Sequence, residues 1–208
     1  MLEVVNCATR VEERTKTRGE DRLTVVPLID RTVIVVADGA GGTGGGAAAA
    51  QAVCDAVLQA CASVTLPSWE AWLAALDGRM PHAGQAAAVI AEVRHGGGIA
   101  GASVGDCEAW IFGIGHKLAL TENQVRKPLL GDGRSHPVGF ASDATGLLVV
   151  ATDGLWKYAK RERVIDALAI RPLDAALTAL VDATRLRSGG LQDDVAIAIC
   201  DVEAVSRP

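Results

Sequence analysis

The chain has 208 residues, half of them hydrophobic, with a net charge of −5 and only 3% aromatics. That length reads as one domain, and the acidic balance excludes nucleic acid as the main partner, because phosphate binding needs a concentrated basic surface. No run reaches roughly 18 unbroken apolar residues and the start lacks the apolar core of a signal peptide, so the expectation is a soluble, cytoplasmic protein with no membrane partner.

Taken in chain order, the mixed run "RVEERTKTRGEDR" (10 to 22) reads as a solvated loop or edge. Residues 23 to 29 and 32 to 37 are β-branched runs parted by "DR", a hairpin. Residues 46 to 63 carry apolar groups at Val53, Val57, Ala60 and Val64, which is helical spacing. "PSWEAWLAALDGRM" has Ser68 at its start and Gly78 near its end, a second short helix. Strands are expected over 85 to 94, 98 to 104, 108 to 113 and 117 to 120. Residues 121 to 145 are polar, rich in Gly and Pro and without a period, which reads as a surface flap. "GLLVVATDG" (146 to 154) is a buried strand, followed by helices over about 160 to 170 and 172 to 187, broken at Pro172. "DDVAIAICDV" closes the series as a strand. Strands and helices thus come in blocks, which favours an α+β fold with antiparallel sheets over a doubly wound parallel sheet. With so few aromatics, Trp69, Trp72, Trp110 and Trp156 are the large pieces of the expected core. The five cysteines (Cys7, Cys54, Cys61, Cys107, Cys200) are odd in number and show no CxxC, so small reduced thiols are expected rather than disulfides or a zinc site.

Three chemistries compete for the stretch "VADGAGGTGGG", where Asp38 precedes six glycines within positions 39 to 46. "GAGGTG" (39 to 44) matches a dinucleotide fingerprint. The chain beyond it stays helical to about residue 80, however, and offers no second strand ending in an acid for the ribose. "GASVG" (101 to 105) matches a nucleophile elbow around Ser103, but a strand and not a helix follows it. The third reading uses carboxylates. Asp38 closes one strand and Asp153 another, Asp193 and Asp194 open the last, Asp106 sits in a turn, and Glu20 with Asp21 precedes the first hairpin. Acids at several strand ends converge on one rim of a sheet, where they repel unless a divalent cation neutralises them.

In this order, "GED" (19 to 21), "VADGAGG" (36 to 42), "VGDCEAW" (104 to 110), "VATDGLW" (150 to 156) and "QDDVAIAI" (192 to 199) resemble the motifs of the type 2C metal-dependent protein phosphatases. The resemblance runs from about residue 10 to 202. It implies a single catalytic domain, a sandwich of two antiparallel β-sheets flanked by helix pairs, within which the segment 121 to 145 keeps the flap reading its own composition suggests. It implies hydrolysis of phosphoserine and phosphothreonine on proteins, the substrates of a cognate kinase, by a metal-activated water at a two-ion Mn²⁺ or Mg²⁺ centre in a monomer. Asp38 would bridge both ions, Asp153 and Asp193 would complete one site, and the Gly39 carbonyl with Glu20 and Asp21 would serve the other. The alternative is a catalytically silent relative that binds phosphoproteins.

Three positions depart from the pattern. Ala40 stands where the family carries a histidine able to act as general acid. Lys16, flanked by Arg14 and Arg18, stands where an arginine usually holds the substrate phosphate, so Lys16 and Arg18 are the candidates for that role. Lys157 replaces an Asp that helps bind a third ion together with the Asp106 position, which counts against a third ion here.

Overall fold

A computed structural model describes residues 5–14, 19–62, 68–80 and 84–202. Among the described residues, ten strands form two five-stranded antiparallel sheets. One has the order β2 (Arg22–Pro27), β3 (Arg31–Gly39), β4 (Ala86–Arg94), β5 (Ile99–Val104) and β8 (Val138–Ser142). The other has β1 (Cys7–Glu12), β10 (Val195–Val202), β9 (Gly146–Ala151), β6 (Glu108–Gly113) and β7 (His116–Ala119). Helices α1 (Gly46–Cys61) and α2 (Trp69–Asp77) follow β3, and α3 (Asp153–Trp156), α4 (Arg161–Leu168) and α5 (Leu173–Thr184) lie between β9 and β10.

The layering follows from side-chain alternation along strands that are buried on both faces. In β3, Val33, Val35 and Ala37 pack with Val53 and Val57 of α1 and with Trp72 and Leu73 of α2. The intervening Ile34 and Val36 face the other way, onto Leu148, Val150, Ala196 and Ala198 of the second sheet. That sheet turns Val149, Ile197 and Ile199 outward onto Val164 of α4 and Leu177 and Leu180 of α5. Three apolar interfaces therefore separate four layers: helix, sheet, sheet, helix. Truncating a two-sided core residue such as Ile34 or Ile197, both fully buried, costs about 2–5 kcal/mol.

The expected α+β sandwich is the one observed, and Pro172 does separate α4 from α5. Ser103 is a buried residue of β5, as expected of an ordinary strand position. Among the described residues no helix is long and apolar enough to cross a membrane.

The run from residue 10 begins at a sheet edge, one of the two places expected of it: Arg10, Val11 and Glu12 lie in β1, the edge strand beside β10. Three expectations need correcting. Within 121 to 145 lies the strand β8, paired with β5. Trp110 and Trp156 are only partly buried; they sit with Phe112 on the outer surface of the second sheet, and Arg161 lies 5.6 Å over the Trp110 ring. Lastly, Cys7 and Cys200 are joined as a disulfide across 193 residues, leaving Cys54, Cys61 and Cys107 as buried thiols. Spacing could not reveal this pair; the β1–β10 ladder places the two cysteines directly opposite, with Cα atoms 4.2 Å apart. Alkylation of the denatured, unreduced chain should modify three of the five cysteines, and modification of all five would contradict the pairing.

The segment after β7 is tied to α2 by Asp77. Its buried carboxylate accepts from the backbone N–H of Gly131 (2.6 Å), Gly133 (3.1 Å) and Ser135 (2.8 Å). Leu130, fully buried, pairs with Ala86 at the start of β4. Burial alone would raise the pKa of Asp77, but the bonds from Ser135, Gly133 and Gly131 outweigh it and hold the carboxyl below its ordinary value of 3.8. A depressed folded value means stability that is present above about pH 4 and lost as the pH falls through the folded value. Asp77→Asn should therefore cost about 1–3 kcal/mol at neutral pH and flatten the acid limb of the stability curve. Urea melts between pH 2.5 and 7 test this, and unchanged melts would remove Asp77 from the role.

Candidate metal centre

The rim where β3 and β9 end and where β2, β6 and β10 begin encloses a cavity of about 330 Å³. Glu20, Asp21, Asp38, Asp106, Asp153, Asp193 and Asp194 line it, with Gly39, Ala40, Gly41, Ala87 and Leu129. Among the described residues, seven carboxylates and no basic residue line it, and this sets its electrostatics.

Each acid is placed by a particular piece of backbone. Asp38 sits in the β3–β4 ladder opposite Ala87, so its direction is set by strand pairing. Asp153 begins α3, and the backbone of Gly154 meets the Asp194 carbonyl so closely that any Cβ would collide with it. Asp106 lies in the turn between β5 and β6. Carboxylate oxygens of Asp38, Asp106 and Asp153 all come within 4.8 Å of one another. Asp193 and Glu20 line the same cavity without joining that triad.

The glycines have a steric purpose here. A Cβ at Gly39 would run into the Gly46 carbonyl, and one at Gly41 or Gly46 into the Glu20 carboxylate. The end of β3, the start of α1 and the Glu20 side chain thus share a space that only glycine leaves open. Gly45, at φ 77°, supplies the left-handed turn into α1.

Thr152, not singled out from the sequence, and Asp194, read there only as an acid opening the last strand, complete the frame. Thr152, fully buried, donates from Oγ1 to Asp21 Oδ2 (2.7 Å) and accepts from the Ala196 N–H (3.0 Å), linking β2, β9 and β10. Asp194 accepts from the Arg14 N–H (2.6 Å) and the Glu20 N–H (2.7 Å), clamping the chain on both sides of residues 15–18. Only the "TD" and "DD" pairs hint at these roles in the sequence. Lys16 and Arg18, the phosphate candidates, lie outside the described residues. Lys157 is described: its Nζ is ion-paired with Asp153 Oδ2 and lies 3.8 Å from Asp106 Oδ2.

Crowding shows in the acidities. Burial, then the charges of Asp21, Asp153, Asp106 and Asp193, push Asp38 up to about 9. Burial also pushes Asp21 to about 7 against the lowering effect of the Thr152 bond, with Asp194, Asp153 and Asp193 adding to the rise. Carboxylates so disposed ionise readily only beside a cation, and oxygen donors converging from several elements are the set that hard divalent ions take. The residues fit a divalent metal.

The same architecture occurs in solved structures. A bacterial serine phosphatase superposes with a TM-score of 0.80 at 19% identity, covering 96% of this chain and 99% of that one. The serine/threonine phosphatase Stp1 from Staphylococcus aureus gives 0.80 at 18% identity, covering 98% and 96%. The Mycobacterium tuberculosis serine/threonine phosphatase PstP gives 0.76 at 18% identity, covering 96% and 99%. A structure of the PstP catalytic domain holds two manganese ions, and one of RsbX, similar at a TM-score of 0.77 and 14% identity over 97% and 96% of the two chains, holds magnesium. No family model and no curated protein sequence matches the chain. At these identities the shared property is the fold. The likeness read from the five sequence motifs is borne out at that level: the chain has the type 2C phosphatase architecture.

Proposed function

We propose that this chain is a single-domain, metal-dependent protein phosphatase acting on phosphoserine and phosphothreonine in the substrates of a cognate kinase. The observation that carries the reading is the convergence of Asp38, Asp106 and Asp153 within 4.8 Å at the rim of this fold. Asp38, Asp153 and Asp193 would hold one Mn²⁺ or Mg²⁺ ion. Asp38, the Gly39 carbonyl, Glu20 and Asp21 would hold a second. When bound, such a pair neutralises developing charge and makes water a competent nucleophile near neutral pH.

The chain's own groups do the rest. The β3–β4 ladder fixes Asp38, Thr152 orients Asp21, and Asp194 accepts from the Arg14 and Glu20 N–H groups. Lys16 and Arg18, between those two positions in the sequence, are the residues assigned here to the substrate phosphate. Leu129 and Ala87 form an apolar wall that limits water on one side of the cavity. No covalent intermediate is invoked. Ser103 is buried in β5, and burial raises the Cys107 thiol well above its ordinary value, so neither is a nucleophile.

Purified protein should turn over p-nitrophenyl phosphate and a phosphothreonine peptide in Mn²⁺ and not in its absence. A second reading, a silent phosphoprotein-binding relative, is favoured by the Lys157–Asp153 ion pair. It predicts micromolar peptide binding with no release of phosphate, and that outcome would replace the enzyme reading.

A further inference from the structure

Lys157 occupies an unusual position for a surface lysine. It caps the one-turn helix α3, its backbone N–H bonded to the Asp153 carbonyl at 2.8 Å. A helical turn returns residue i+4 over residue i, so the Lys157 ammonium falls on the Asp153 carboxylate and within 3.8 Å of Asp106 Oδ2. These are two of the three carboxylates of the converging triad. Among the described residues, no other Lys, Arg or His side chain is ion-paired with an acid lining the cavity. The side chain is nonetheless 49% exposed, so it has room to swing into solvent.

We propose that Lys157 is a tethered counter-ion that occupies the Asp106–Asp153 side of the triad, so that a divalent ion binds there only when the lysine side chain withdraws. The inference rests on the metal-centre reading above and adds a residue that limits how many ions the cavity takes. Its physical basis is simple. A fixed positive charge a few ångströms from a divalent ion repels it, and the partial burial of the site reduces solvent screening. Removing that charge leaves Asp106 and Asp153 free to coordinate, while the backbone N–H of Lys157 that bonds the Asp153 carbonyl is kept.

The test is a Mn²⁺ titration of the metal-free full chain by calorimetry, with free Mn²⁺ counted by electron paramagnetic resonance. Lys157→Met and Lys157→Gln remove the charge and should either take up one more ion than the wild type or bind Mn²⁺ at least about tenfold more tightly. Lys157→Arg keeps the charge and should stay within about threefold of the wild type. Identical isotherms for wild type, Lys157→Met and Lys157→Gln overturn the proposal while leaving the phosphatase reading intact. Lys157→Arg behaving like Lys157→Met would also overturn it, since charge would not be the cause. If the wild type neither binds Mn²⁺ nor releases phosphate while Lys157→Met binds, the phosphatase reading fails and the counter-ion role stands. Absence of binding in every protein overturns both.

Discussion

Asp38→Asn should abolish phosphopeptide turnover, lowering kcat/KM by roughly a thousandfold, in a protein that folds as well as or better than the wild type. Asp38 is the residue assigned to both ions, and it lies at the meeting point of the triad and the glycine stretch. Asp106→Asn, with a share in one corner only, should lose about ten- to a hundredfold. The stability half of this prediction comes from acidity. The folded protein holds the Asp38 proton up to about pH 9, against an ordinary value of 3.8. A raised folded value means stability that is complete below about pH 4 and lost progressively as the pH rises toward 9. Asparagine has nothing to ionise, so metal-free Asp38→Asn should outlast the wild type in urea, by a margin that widens from pH 5 to pH 8. Near-native turnover would defeat the bridging assignment, and a constant margin would show that Asp38 is less crowded than described.

Metal removal has the second large effect. Exhaustive chelation should bring phosphatase activity to background, and Mn²⁺ or Mg²⁺ in the millimolar range, an order of magnitude typical of weak oxygen-ligand sites, should restore it. The thermal midpoint should also rise with Mn²⁺, more at pH 8 than at pH 5. At the lower pH the ion must displace protons from Asp38 and Asp21, whose values are raised to about 9 and about 7. The measurement is a pair of melting series with and without chelator. Undiminished activity after chelation would exclude the two-ion mechanism, whatever the melting curves show.

The parts of the fold that were legible in the sequence share one property: their pattern is dictated by burial. β3 and β9 are continuous apolar runs because both faces are covered, and α1 and α5 show helical spacing because one face packs on a sheet. The strands that escaped are the sheet edges. In β1 only Ala8 is buried and in β8 no residue is, so neither carries a period that distinguishes it from a loop. Their identity comes from ladder hydrogen bonds to β10 and β5, a partner choice that local composition does not encode.

The metal centre divides in the same way. By itself the sequence determined which carboxylates stand at strand ends, because an acid beside an apolar run must lie where the strand enters or leaves the core. Asp38, Asp106, Asp153 and Asp193 were all readable on that basis, and all line the cavity. Only the tertiary structure decided which of them converge, what holds them and what opposes them. Thr152 on Asp21, Asp194 on Arg14 and Glu20, Asp77 under the segment after β7, and the Cys7–Cys200 pair all join positions at least 54 residues apart. Contacts of that range are set by how two sheets stack and how strands from distant parts of the chain come to lie side by side. A one-dimensional pattern records the burial of each residue but not the identity of the group that will face it.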